Sequence, residues 1–126
     1  MCNIHFDEQA VRRAIRAQAE CYHSPVYHVD PVQVYREMYE GQPVGGIKLH
    51  FIEKVKCAMV AEEWREAFLE RAERERLDVH QVSIPRVVDD LLGVHLSPDD
   101  RAVAFQASQA VWYDMMIEEA QALRAG

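Results

Sequence analysis

Apolar residues recur at three- and four-residue spacing along nearly the whole chain, and this periodicity predicts about five helices. The first is expected from about Glu8 to Tyr22. Asp7 supplies its N-cap, Phe6 packs on Val11 as a hydrophobic staple, and Ala10, Val11, Ala14, Ile15 and Tyr22 form its apolar face. A second helix is expected from Pro31 to Glu40, capped by Asp30, stapled by Val29 to Val34, and stopped by Gly41 and Pro43. After the Gly45-Gly46 hinge a long helix is expected from about Lys48 to Leu77. Its first half is broadly apolar, while Glu62 to Arg76 reads as a solvated arm with pairs such as Glu70–Arg74 and Arg71–Glu75.

Ser83 caps a fourth helix from Ile84 to Leu92, ended by Gly93. Ser97-Pro98-Asp99-Asp100 starts the last, which continues to about Arg124. Between Ala102 and Tyr113 this last helix carries no charge. Phe105, Trp112, Met116, Ala120 and Leu123 form one stripe, and Val103, Ala110 and Ile117 repeat every seven residues on another. A helix apolar on two faces belongs in the middle of a bundle or in a subunit interface, which predicts a homodimer through this helix. The fold expected is therefore all-α, a compact bundle of about five helices forming one domain over residues 1–126. The competing reading is α+β, with a two-stranded ribbon from 47–51 and 79–84, where residues alternate.

Composition agrees with the helical reading. The 126 residues include no threonine and a single asparagine, Asn3, and 49% are apolar. No apolar run approaches the roughly 20 residues of a membrane span, and Met1 to Phe6 does not begin a signal peptide. Three cysteines, an odd number, fit reduced thiols in a cytoplasmic setting.

Charge changes the picture more. The net charge is −7, and residues 78–126 hold eight carboxylates against Arg86, Arg101 and Arg124. Such a segment disfavours phosphate backbones and membrane surfaces and favours a protein partner with a basic surface. Asp89 and Asp90 close one helix and Asp99 and Asp100 open the next, so a short connection is expected to gather them on one acidic edge. Leu96 and Trp64 are the candidate apolar anchors beside it. A helix-turn-helix over Ile84 to Gln109 is disfavoured, since it would present Asp99 and Asp100 where DNA readers place basic or amide groups.

Candidate chemistry is sparse. Cys2, His5, Cys21 and His23 form a Cys₂His₂ set of zinc-ligating type, but a straight helix between the two pairs would hold them about 20 Å apart. Glu20-x-x-His23 is half of a di-iron bundle motif, and no second copy exists in the chain. No serine sits in a Gly-x-Ser-x-Gly elbow, five glycines do not build a phosphate loop, and adjacent carboxylates such as Glu62-Glu63 point about 100° apart on a helix. No catalytic residue is assigned. The sequence thus points to a non-catalytic adaptor, inhibitor or regulatory subunit acting through an acidic helical surface. The alternatives are a metal-dependent sensor using the Cys/His set, an acidic mimic of nucleic acid, and a small bundle enzyme.

Overall fold

A computed structural model describes residues 7–125, and among them the fold is all-α, with five α-helices and no strand. The helices are α1 (Glu8–Cys21), α2 (Pro31–Met38), α3 (Gly46–Glu75), α4 (Ile84–Leu92) and α5 (Pro98–Ala125), with 3₁₀ turns at Val26–His28 and Val79–Gln81. The ribbon is not formed. Residues 47–51 lie inside α3, and 79–84 form a 3₁₀ turn and the entry to α4, where Asp78 and Gln81 bond reciprocally as a capping box. Alternation over five or six residues is too short to override a long helix on one side and a capped turn on the other.

The helix starts follow local chemistry. Asp7 accepts from the Ala10 N–H at 3.1 Å, Asp30 from Val32 at 3.0 Å, and the Ser97 hydroxyl from Asp100 at 3.1 Å. Ser83 occupies the N-cap of α4 but makes no side-chain cap bond. Phe6 and its staple lie outside the described residues.

Two helices stop without glycine. His23 and Arg76 adopt left-handed backbone, at φ 49° and 56°. At the first, Ser24 N–H reaches Ala19 O and His23 N–H reaches Glu20 O; at the second, Leu77 reaches Ala72 O and Arg76 reaches Glu73 O. These paired bonds are the Schellman closure, which satisfies the last carbonyls and holds a non-glycine residue in a conformation that ordinarily disfavours it. They end α1 and α3 one to two residues earlier than the hydrophobic pattern does.

The chain divides into two compact units, one through Val60 and the other from Ala61 onward, with the boundary inside α3. In the first unit Val11, Ile15 and Ala19 of α1 pack with Val29, with Val34 and Tyr35 of α2, and with Ile52, Val55 and Met59 of α3. The hydroxyl of buried Tyr35 donates to Pro43 O at 2.7 Å, tying α2 to the loop that follows it. In the second unit the buried residues are Trp64, Ala67, Phe68 and Ala72 of α3, Val82, Val87 and Val88 in and before α4, and Ala104, Ser108, Val111 and Met115 of α5. Along α3 the three-and-four spacing runs from Ile52 to Met59, breaks, and resumes as a four-residue repeat at Trp64, Phe68 and Ala72. The break coincides with the unit boundary.

The buried seam of α5 is neither of the stripes expected from its largest side chains. Ala104, Ser108, Val111 and Met115 face inward, Phe105, Trp112 and Met116 flank them half-buried, and Val103, Ala110 and Ile117 face solvent. The first two seam positions hold small residues that are fully buried, and the larger side chains lie to either side of them. The Trp112 indole N–H donates to Val79 O at 3.1 Å, fastening the 3₁₀ turn to α5.

Candidate functional site

Unit two contains the elements on which the acidic edge was expected. Gly93, at φ +87°, ends α4 and sends its N–H to Asp89 O at 2.9 Å. The four residues that follow lead directly into α5. Arg101, on the first turn of α5, binds the Asp89 carboxylate and donates to Val94 O at 3.0 Å, which locks the connection against α4. What the connection joins is Asp89 on α4 to Arg101 on the first turn of α5.

The two pairs differ in what they can offer a partner. Asp89 is held by Arg101. Asp90 is held by Arg71 at 3.2 Å and Arg74 at 3.4 Å, while Arg71 also meets Glu75 at 2.9 Å, as the i,i+4 spacing requires. Asp99 and Asp100 are exposed and have no ion pair among the described residues. They lie at the N-terminus of α5, where the helix dipole favours carboxylates.

Next to this terminus α4 and α5 enclose an open cleft of about 430 Å³, lined by Pro85 and Val88 on α4 and Pro98, Arg101, Ala102, Phe105 and Gln106 on α5. Its walls are almost wholly apolar. Proline at the first turns of both helices contributes two rings without an N–H to the lining, and the Arg101 guanidinium is engaged with Asp89. The cleft-forming residues were missed by the sequence reading. The only available signal was the pair of helix-start prolines, which announce helix boundaries and not that two helices leave a gap.

Of the two expected anchors, Trp64 is ruled out. It is 1% exposed and belongs to the core of unit two. The charged residues around it suggested an exposed arm, but they occupy the other sides of α3 while Trp64, Phe68 and Ala72 share the buried one. Leu96 sits half-buried in the α4–α5 connection.

The expected metal set is only partly within the described residues. Cys2 and His5 fall outside them; Cys21 ends α1 with its thiol exposed, and exposed His23 forms the left-handed residue after it. Among the described residues no three His, Cys, Asp or Glu side chains converge as a metal site. Beside α1 and α2 a second cleft, also about 430 Å³, is lined by Gln18, Tyr22, Ser24, His28, Val29, Asp30 and Gln33. Gln18 lies on the buried stripe of α1, and its Nε2 finds no partner among the described residues.

Farther along α5, Glu118 forms a two-pronged pair with Arg65 of α3, one prong at 2.8 Å. Hydrogen bonding from the Arg65 guanidinium holds the Glu118 carboxyl below the ordinary glutamate range, against a smaller opposing effect of desolvation. A group whose folded pKa is depressed contributes stability above its unfolded pKa and loses it as pH falls through the folded value. Wild-type protein should thus lose a small increment of stability below about pH 4, the region of an unperturbed glutamate. Glu118→Gln should lack that increment, and thermal melts of both proteins through the acid range would measure it.

Comparison with known proteins finds no matching family model, no matching curated protein and no matching solved structure. No helix among the described residues is long and apolar enough to cross a membrane. Function has to be read from the site alone.

Proposed function

We propose that the chain is a non-catalytic interaction module whose second unit takes an apolar anchor from a basic protein partner into the α4–α5 cleft. The observation that carries this reading is the apolar cleft of Pro85, Val88, Pro98, Ala102 and Phe105 beside the exposed carboxylates of Asp99 and Asp100. The apolar walls supply affinity by desolvating an inserted side chain, and the carboxylates steer and orient a cationic flank. An amphipathic segment with leucine or phenylalanine on one face and lysine or arginine on the other has the matching chemistry. An adaptor, inhibitor or regulatory subunit would work in this way, by occupying a partner's surface. Direct DNA binding remains disfavoured by the same two carboxylates.

A synthetic amphipathic helix of leucine and lysine serves as the probe, titrated into the full chain and followed by the fluorescence of half-buried Trp112. Binding should weaken as salt rises, over a Debye length of about 8 Å at physiological strength. The double change Asp99→Lys with Asp100→Lys should weaken it at least tenfold, and Phe105→Ser should weaken it with the salt dependence kept. Equal binding by wild type and both variants would overturn the proposal.

A further inference from the structure

The uncharged middle of α5 has an exposed face as well as a buried one. Val103 is 61% exposed, Ile117 54% and Tyr113 54%, and Ala110 is exposed between them. At 100° per residue Val103, Ala110 and Ile117 fall within about 40° of one another, with Gln106 and Tyr113 along one margin and Asp114 on the other. Apart from Asp114 on that margin, charge appears on this face only toward its ends. Asp99 and Asp100 stand at the N-terminal end and Arg124 at the C-terminal end, and Arg124, like the two aspartates, has no ion pair among the described residues.

This order is complementary to its own reverse. In an antiparallel pairing centred on Ala110, each position meets the one equally far on the other side. Val103 meets Ile117 about 10 Å from the centre, and Gln106 lies beside the other copy's Tyr113 about 4–6 Å from it, because the two-fold sets like margins of the face together. Asp99 and Asp100 lie about 15–17 Å out and Arg124 about 21 Å out, an offset that an arginine side chain spans. Parallel pairing would instead set carboxylates against carboxylates and Arg124 against Arg124. Antiparallel pairing also opposes the two helix dipoles favourably.

We propose that the α5 face of Val103, Ala110 and Ile117 is an isologous interface with a second copy of this chain, antiparallel about a two-fold axis at Ala110. The small Ala110 side chain lets the two helices approach at the axis, and each Val103 packs on the other copy's Ile117. This face is centred on a different side of α5 from the cleft lined by Phe105 and Arg101; Gln106, Asp99 and Asp100 border both, so Ile117→Lys, which lies outside the cleft, is the variant that separates the two surfaces.

Light scattering of the full chain at tens of micromolar should give twice the chain mass. Ile117→Lys should give a monomer with an unchanged helical circular dichroism spectrum and unchanged binding of the leucine–lysine probe. Arg124→Glu should weaken the dimer a few-fold, as expected of an exposed pair. Adding Asp99→Lys and Asp100→Lys to that variant should restore the dimer, because the charges are exchanged on both copies. Ala110→Cys, with Cys2, Cys21 and Cys57 replaced by serine, should oxidise to a covalent dimer, since the two residues approach within disulfide reach at the axis. A monomeric wild type at these concentrations, a dimer that survives Ile117→Lys, or an Ala110→Cys chain that stays unlinked would overturn the proposal. Loss of probe binding with the dimer intact would instead bear on the cleft.

Discussion

Trp64→Ala should destabilise the protein by about 3–5 kcal/mol, the range for removing a fully buried large aromatic side chain. Trp64 is 1% exposed and lies with Phe68 and Ala72 on the buried side of α3. Removing it forfeits the transfer free energy of the indole and leaves a cavity that the helices around it close only in part. Leu69 is the control. It is on the same helix and is also a large apolar residue, but it is 54% exposed, so Leu69→Ala should change stability by no more than about 0.5 kcal/mol. Denaturant unfolding of both variants measures the difference. Near-equal effects would mean that α3 does not bury the side assigned to it. A loss of several kcal/mol is large against the roughly 5–15 kcal/mol total typical of domains, so the Trp64 variant should be partly unfolded at physiological temperature.

The second large effect concerns the carboxylates that the sequence offers as an acidic edge. Asp89→Lys together with Asp90→Lys should destabilise unit two by about 1–3 kcal/mol or more, the scale of leaving partly buried charged donors without their acceptors. The two lysines would join Arg71, Arg74 and Arg101, so that five cations meet where two carboxylates now hold three arginines. Arg71 suffers most, being half-buried and also engaged with Glu75. Asp99→Lys with Asp100→Lys changes the charge by the same amount. Its only stability cost is an unfavourable charge at a helix N-terminus, typically about 0.3–1 kcal/mol per residue. Thermal melts of the two double variants separate these roles. Charge reversal at 99 and 100 therefore tests binding at the exposed start of α5, whereas reversal at 89 and 90 tests folding.

The contrast between these two acidic pairs shows how far sequence reasoning reaches. By itself the sequence determined the helical class and where α1, α2 and α5 begin, since an N-cap is a bond between a side chain and an N–H two or three residues away. Asp7, Asp30 and Ser97 make those bonds in the structure. It also determined the end of α4, where Gly93 takes the positive φ that favours glycine. The ends of α1 and α3 were less legible because His23 and Arg76 take the same kind of conformation without glycine's signature. The break in the α3 stripe at the unit boundary was present in the sequence, but only as an interruption between two repeats.

Tertiary structure alone decided which side of each long helix is buried. On α5 the sequence ranked faces by side-chain size, and the fold buries Ala104 and Ser108, because the buried side depends on what lies opposite and not on the helix's own residues alone. It likewise decided that Trp64 is core, that Arg71 reaches 19 residues along the chain to Asp90, and that Arg101 reaches 12 back to Asp89. Cleft and ion pairs alike arise where separate helices meet. Hydrogen bonds within a turn are set by a few neighbouring residues, whereas burial and charge pairing are set by residues brought together only when the chain folds.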